Sequence, residues 1–271
     1  MTTGATGATE VTGAHRAATE RLLAAEATRT PCAPVRDLFA APTVDDAYVV
    51  QSLVHAASSA GRHRVGCKIG LTSAAVQRQM GVDQPDFGVL HADMALGDDE
   101  AVPAGRLLQP RLEAEVAFVL GTDLPDRPVV LTDVLRATDF VVAAIEIVDS
   151  RIAGWDISIV DTVADNASSG MFALGGRPRR LRDIDDLRAV RMQLTANGEV
   201  VSEGLGAACL GHPVNAVVWL ANELARRGAP VRAGDLILSG SLGPLVPAAA
   251  HTRYEATLDG LGSVRVGFGE R

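Results

Sequence analysis

From residue 65 onward, the sequence consists of short apolar runs separated by glycine, proline and aspartate. Residues 112–120 alternate between apolar and polar side chains, as in a half-buried strand, and residues 141–148 form the apolar run of a more fully buried strand. These runs do not alternate regularly with helices, as a doubly wound sheet or an eight-fold α/β barrel requires. The pattern predicts a mixed α+β fold in which residues 66–271 form one β-rich domain.

The second half of the chain contains a strong hairpin signal and one clear helix. Asn197-Gly198 lies between two strand-like runs, and both residues tolerate the positive φ angles of a two-residue turn. Pro213 stands where the first turn of a helix accepts proline, and Gly228 stands just past the last turn. Further strands are predicted over residues 236–239, 252–258 and 263–268.

The N-terminal part has a helical composition instead. Residues 1 to about 14 are rich in glycine, threonine and alanine and are expected to fray. Residues 14–27 predict one helix, and a second helix is expected to begin at Thr43 and to end at Gly61. We therefore predict a mainly helical N-terminal segment over residues 1–65.

Composition and charge exclude several classes of partner. The chain has 271 residues and a formal net charge of −8, which argues against a nucleic-acid backbone or an anionic membrane surface as partner. Its three widely spaced cysteines fit neither a disulfide framework nor a zinc site. The N-terminus lacks the pattern of a secretory signal, and no apolar run is long enough to span a bilayer. These features predict a cytoplasmic protein with reduced thiols.

The sharpest local feature is the pair of acidic residues in Pro110-Arg111-Leu112-Glu113-Ala114-Glu115. On a strand, Glu113 and Glu115 face the same side, where two carboxylates repel each other. A hard cation relieves that repulsion, and oxygen ligands suit magnesium or manganese. The alternative is a solvated polar face on an edge strand. Spacing alone does not decide between the two.

Glu146 adds a third carboxylate in an unusual place. It lies within the apolar run 141–148, where an unpaired carboxylate is costly to bury. A third metal ligand is one interpretation, and an ion pair with an arginine such as Arg151 is the other. The sequence therefore predicts a metal site that includes Glu146 and leaves the ion pair as the alternative.

Lys68 and Asp86 are candidate acid–base groups. Lys68 lies between Gly66 and Gly70 in an apolar segment, where a lysine can serve as the cation for a carboxylate ligand or as an acid–base group with a lowered pKa. A lysine that extends to the surface is the alternative. Asp86 in Gln84-Pro85-Asp86 is a candidate proton carrier, or a simple turn residue. The loop over residues 240–244 can offer N–H groups and the Ser241 hydroxyl to an anion, although it is no phosphate loop.

Taken together, these segments resemble the fumarylacetoacetate hydrolase superfamily and, within it, the 2-keto-4-pentenoate hydratases of aromatic meta-cleavage pathways. The resemblance runs in order over nearly the whole chain. It is carried by GCKIGLTS (66–73), MGVDQPDFGVL (80–90), QPRLEAEVAFVL (109–120), AAIEIVDSRI (143–152), VDTVADNASSG (160–170), CLGHPVNAVVWLAN (209–222) and GDLILSGSLGP (234–244).

The resemblance implies a β-rich roll with a helical N-terminal segment, bound Mg²⁺ or Mn²⁺, and a homo-oligomer. It implies addition of water to 2-hydroxypenta-2,4-dienoate, a small anionic 2-hydroxy acid, to give 4-hydroxy-2-oxopentanoate. By position, it assigns the metal to Glu113, Glu115 and Glu146 and acid–base roles to Lys68 and Asp86. The substrate-binding positions that it implies are Leu71, Asp165, Ser168 and Ser241.

Three other functions stay open at this point. A related decarboxylase of 2-oxo-hexenedioates would share the metal site, but its members carry Gly-Ile-Thr-like residues in place of Ser241-Leu242-Gly243. A C–C hydrolase of the same superfamily would need a His–Glu pair in a lid, and His91 is the only histidine between Lys68 and Glu113. A non-catalytic subunit that stabilises a pathway enzyme is the third possibility, and the intact set of three glutamates argues against it.

Overall fold

The computed structural model describes residues 10–58, 60–73, 77 and 84–269. The expected fraying of the first residues and the beginning of the segment 80–90 fall largely outside these ranges. Five α-helices are described: α1 (Gly13–Thr28), α2 (Val44–Ser58), α3 (Leu131–Ala137), α4 (Ile159–Ala164) and α5 (Pro213–Arg226).

The described strands are β1 (Arg64–Gly70), β2 (Asp86–His91), β3 (Ala95–Leu96), β4 (Glu100–Val102), β5 (Pro110–Leu120), β6 (Thr138–Asp149), β7 (Ser169–Leu174), β8 (Arg191–Ala196), β9 (Glu199–Leu205), β10 (Leu236–Ser241), β11 (Val246–Pro247), β12 (Thr252–Leu258) and β13 (Gly262–Phe268). Most neighbouring strands pair antiparallel, and helices and strands do not alternate along the chain. The predicted α+β class is therefore confirmed.

The two predicted N-terminal helices are present as α1 and α2. Before α2, the Thr43 hydroxyl accepts a hydrogen bond from the Asp46 N–H at 3.1 Å, and the Asp46 carboxylate accepts one from the Thr43 N–H at 3.0 Å. This reciprocal cap satisfies two of the N–H groups that a helix start leaves free. His15 on α1 lies 3.0 Å from the same carboxylate and ties the two helices together. The division into segments 1–65 and 66–271 stays a prediction.

The strands form two sheets. The larger has the order β2-β1-β10-β5-β6-β7-β3, with β11 also pairing to β5, and the smaller has the order β4-β13-β12-β8-β9. The predicted hairpin is present between β8 and β9, where Asn197 and Gly198 have φ angles of 49° and 91°. Among the described residues, no helix combines the length and apolar character that crossing a membrane requires.

Strand β5 lies in the middle of the larger sheet and divides two environments. Its even-numbered residues Leu112, Ala114, Val116 and Phe118 belong to the main hydrophobic core. Its odd-numbered residues face the other way, because side chains alternate along a strand. On that second face, Ala117 packs in a small apolar cluster with Leu238 of β10 and Val142 of β6, and Glu113 and Glu115 follow toward the start of β5.

Candidate metal centre and active site

The three predicted glutamates meet on this second face of the larger sheet. One carboxylate oxygen from each of Glu113, Glu115 and Glu146 lies within 4.8 Å of the other two. Glu113 is the direct strand partner of Glu146, and Glu115 is the partner of Ser241 on β10. Three adjacent strands therefore present carboxylates and a hydroxyl residue to one place.

The solvated edge-strand alternative for this pair is wrong, because β5 has β10 on one side and β6 on the other. Glu115 and Glu146 are buried, whereas Glu113 keeps part of its surface exposed. The Gly240 N–H donates to Glu115 Oε2 at 2.8 Å. Within the described part of the chain, Glu115 Oε1 and Glu146 Oε2 have no hydrogen-bond partner. Buried oxygens without partners are costly, and a divalent cation with oxygen preference would satisfy them.

Lys68 lies beside these carboxylates. The alternative of a surface lysine is wrong, because Lys68 is only 2% exposed. Its Nζ lies 3.0 Å from Glu146 Oε1. Burial opposes the charge, but Glu146, Asp86 and Glu113 outweigh burial and raise the pKa of Lys68 above its usual value. The expectation of a lowered pKa is therefore wrong. Lys68 is a buried amine in contact with one proposed metal ligand, and this contact favours its charged form.

The predicted alternative partner for Glu146 is also wrong. Arg151 is bound by Asp165: its Nε donates to Asp165 Oδ1, and its backbone N–H donates to Asp165 Oδ2 at 2.9 Å. The Arg151 side chain further donates to the Ser169 carbonyl oxygen at 2.9 Å. Among the described residues, the ion-pair partner of Glu146 is Lys68 instead.

Asp86 is the first residue of β2 and is 1% exposed, so it is no surface turn residue. It is the strand partner of Gly70, and a Cβ atom at Gly70 would lie 2.2 Å from Asp86 Oδ1. Only glycine leaves room for this carboxyl group there. The Thr162 hydroxyl donates to Asp86 Oδ2 at 3.4 Å. Burial, together with the nearby charge of Glu146, raises the pKa of Asp86 despite the opposing effect of Lys68.

The same low-dielectric surroundings affect the glutamates. Removal from water and the neighbouring Glu146 raise the pKa of Glu113 to about 7, and the same causes together with Glu113 raise the pKa of Glu115 well above its usual value. Four carboxyl groups thus share a buried site with one lysine. A cation bound among them would favour their ionised forms.

The predicted substrate-binding residues fall into two groups. Ser241 adjoins Glu115 across the sheet, and its hydroxyl donates to the Gly243 carbonyl oxygen at 2.6 Å. Leu71 directly follows β1 and has a φ angle of 55°, and its carbonyl oxygen accepts a hydrogen bond from Gln77 at 2.8 Å. Both residues lie at ends of strands that carry the site.

Asp165 and Ser168 lie in a strained turn after α4. Asn166, Ala167 and Ser168 all have φ angles between 50° and 54°, which is rare for residues other than glycine. The bonds between Asp165 and Arg151 hold this turn in place. The Ser168 hydroxyl lies 3.4 Å from that of Thr162. Ser168 is therefore connected to Asp86 through Thr162, whereas Asp165 supports the turn.

Thr162 is a site residue that the sequence did not reveal. It lies on α4 within the segment 160–170, and its hydroxyl is in reach of both Asp86 and Ser168. No spacing rule marks a single threonine on a helix, and only the resemblance of that segment pointed to the region.

Residues 62–268 match the family model described as fumarylacetoacetate (FAA) hydrolase C-terminal, and the chain therefore belongs to the fumarylacetoacetate hydrolase family. This confirms the family resemblance and the predicted fold class. The curated relatives include 2-keto-4-pentenoate hydratase 1 of Dechloromonas aromatica, which is 54% identical over 253 residues, covering 93% of this chain and 96% of the relative. The 2-keto-4-pentenoate hydratase of Burkholderia vietnamiensis is 53% identical, with 92% and 95% covered.

A similar solved structure is that of 4-oxalocrotonate decarboxylase from Pseudomonas putida G7, complexed with magnesium and adipate. It is 38% identical in sequence, has a TM-score of 0.91, and is matched over 96% of this chain and 99% of its own. The fold of this chain is thus shared by hydratase and decarboxylase relatives.

Proposed function

We propose that this protein is a divalent-metal-dependent hydratase. It converts 2-hydroxypenta-2,4-dienoate, or a close homologue, and water to 4-hydroxy-2-oxopentanoate. The observation that carries the proposal is the convergence of Glu113, Glu115 and Glu146 in a chain that is 54% identical to a 2-keto-4-pentenoate hydratase over nearly its full length. We infer a cytoplasmic homo-oligomer that serves a meta-cleavage pathway and can contact another enzyme of that pathway.

Glu113, Glu115 and Glu146 would hold Mg²⁺ or Mn²⁺, since a set of carboxylate oxygens suits either ion. When bound, the ion supplies a Lewis acid for the carboxylate and 2-oxygen of the substrate. The unpartnered buried oxygens of Glu115 and Glu146 support this assignment. Lys68 contacts Glu146 and places a positive charge beside it.

The reaction needs two proton movements. Ketonisation takes the proton from the 2-hydroxyl group and adds one at C5, which leaves a 2-oxo-3-enoate. Water then adds, with its hydroxyl at C4 and a proton at C3. Asp86, whose pKa is raised, and Lys68, which neighbours it, are placed to hold and transfer these protons.

The remaining predicted residues have positioning roles in this proposal. Ser241 and Leu71 contact the substrate from the ends of β10 and β1. Ser168 reaches the site through Thr162, which also fixes the Asp86 carboxyl group. Asp165 acts on substrate binding through the turn that carries Ser168.

A decarboxylase is the second candidate, because a relative with a solved structure, 38% identical, bears the name 4-oxalocrotonate decarboxylase. The higher identity to hydratases, at 54% and 53%, favours water addition. A C–C hydrolase is disfavoured because His91 faces His55, with Nε2 and Nδ1 of the two rings 3.2 Å apart, and has no glutamate partner among the described residues.

The experiment is product analysis of the purified protein with a panel of 2-hydroxy-dienoates, with Mg²⁺ and after chelation. The panel contains a five-carbon acid, a methylated homologue and a six-carbon dicarboxylate. A hydroxylated product from the first two acids supports the hydratase. Release of CO₂ from the dicarboxylate, without hydration of the others, would replace it with the decarboxylase.

A further inference from the structure

Arg111 precedes Glu113 by two residues on β5 and faces the same side of the sheet. Two residues of a strand span about 7 Å, so the arginine stands one side-chain position away from the metal-binding carboxylates. Its partners in the neighbouring strands are Val148 on β6 and Pro247 on β11, both uncharged. Arg111 is therefore a positive side chain next to the glutamates on its strand, and neither residue opposite it in the sheet is acidic.

The guanidinium group of Arg111 has unused hydrogen-bonding capacity. Among the described residues it makes no hydrogen bond and no ion pair, although it is partly buried. Every other partly buried arginine in that part of the chain makes at least one. Arginine carries five N–H donors, and Arg111 keeps part of its surface exposed, so a ligand can reach them. Arg111 is thus an available donor beside the site.

Trp155 fixes the orientation of this arginine. The Arg111 Cζ atom lies 4.2 Å from the centroid of the Trp155 ring. Trp155 itself has a φ angle of 59°, and its Nε1 donates to the Gln109 carbonyl oxygen at 3.0 Å. Such strain in a bulky residue persists where its surroundings hold it, and it concentrates at functional sites. Stacking covers one face of the guanidinium group and leaves its edge free for a planar anion.

The site is rich in acidic residues, with Glu113, Glu115, Glu146 and Asp86 grouped around Lys68. A substrate carboxylate adds further negative charge there. A positive side chain beside the site would therefore favour binding of that carboxylate.

We propose that Arg111 binds the C1 carboxylate of the 2-oxo or 2-hydroxy acid substrate and that Trp155 positions it. The planar fork of arginine matches the two oxygens of a carboxylate. The inference rests on the proposed function for the substrate class. Its test measures the binding of a ligand and not turnover. Failure of the hydratase proposal and failure of the Arg111 proposal therefore give different results.

The test measures the dissociation constant of pyruvate from the Mn²⁺-loaded protein by calorimetry. Arg111→Met should weaken pyruvate binding by roughly 10- to 100-fold, the scale of a hydrogen bond to a charged group, and leave Mn²⁺ affinity unchanged. Pyruvamide, which lacks the negative charge, should bind the wild type and the variant equally. Arg191→Met, at an exposed arginine on β8, is the matched control and should bind pyruvate like the wild type. Arg111→Gln is measured in parallel and carries the test if the methionine variant does not fold.

Three results would overturn the proposal. Pyruvate affinity within about twofold of the wild type in both Arg111 variants would show that the arginine does not bind this carboxylate. An equal loss of pyruvamide binding would show a structural role only. Oxaloacetate, which has a second carboxylate, is measured in the same way. A loss of affinity confined to oxaloacetate would assign Arg111 to the far end of the substrate. If the wild type hydrates no dienoate and the Arg111 variants still bind pyruvate more weakly, the hydratase proposal fails and the arginine role remains.

Discussion

Lys68 and Glu146 form a buried ion pair on the larger sheet, with the lysine Nζ 3.0 Å from Glu146 Oε1 and side-chain exposures of 3% and 1%. Their strands, β1 and β6, are separated by β10 and β5 in the sheet order. The two side chains therefore meet over the strands between them, where Glu113 and Glu115 also lie. A change at Lys68 acts on the metal-binding group through this contact.

Lys68→Met tests the role of this pair in turnover. The substitution keeps much of the side-chain length and removes the charge. We expect kcat/KM for the dienoate to fall roughly 10²-fold or more, the usual scale for loss of an acid–base group. Metal affinity, measured by calorimetry, should change much less than turnover. Near-normal activity in a folded variant would contradict a functional role for Lys68.

Replacement of the glutamates tests the metal site directly. Glu115→Gln and Glu146→Gln remove one negative charge each and keep the shape of the side chain. We expect each variant to lose at least about 10-fold in Mn²⁺ affinity, because one of three charged ligands becomes neutral. Glu203→Gln on β9, at an exposed glutamate, serves as the control. Equal Mn²⁺ affinity in all three variants would show that the carboxylates do not bind the ion.

His91 should make the folded state sensitive to acid. It is 3% exposed and stacks on His55, and burial together with the charge of Arg62 lowers its pKa to about 4. The free side chain has a pKa of about 6.5. Between these two pH values His91 is therefore protonated in the unfolded chain and neutral in the folded protein. Stability contributed by neutral His91 is thus complete above about pH 6.5 and is lost as the pH falls toward 4.

The measurement is the free energy of unfolding in urea at pH 7 and at pH 5. The wild type should lose more stability between these two values than His91→Gln. His251→Gln, at an exposed histidine, should lose as much as the wild type. An identical pH dependence in the wild type and the His91 variant would refute this contribution.

Much of the site could be predicted because its signals are local. The alternation along residues 112–120 placed Glu113 and Glu115 on one face, and the apolar surroundings of Glu146 made a partner necessary. The family resemblance then supplied roles for Lys68 and Asp86. These predictions needed only the periodicity of a strand and the cost of burying charge.

The contacts between distant segments could not be predicted in this way. Tertiary packing decided that Glu146 meets Lys68 and that Arg151 meets Asp165 instead. The positive φ angle of Trp155, which directs Arg111, also depends on tertiary contacts. One sequence signal was nevertheless available. Lys68 is the only lysine in the chain, which otherwise uses arginine, and a buried point charge is a position where arginine does not replace lysine.

The central claim is that the chain adds water to a metal-bound dienoate. It is tested most directly by following 2-hydroxypenta-2,4-dienoate by proton NMR with purified protein, first with Mg²⁺ and then after removal of the metal with a chelator. We expect 4-hydroxy-2-oxopentanoate as the product, no turnover after chelation, and recovery when Mg²⁺ or Mn²⁺ is restored. Unchanged substrate in the presence of either metal, or hydration that continues at the same rate after chelation, would contradict it.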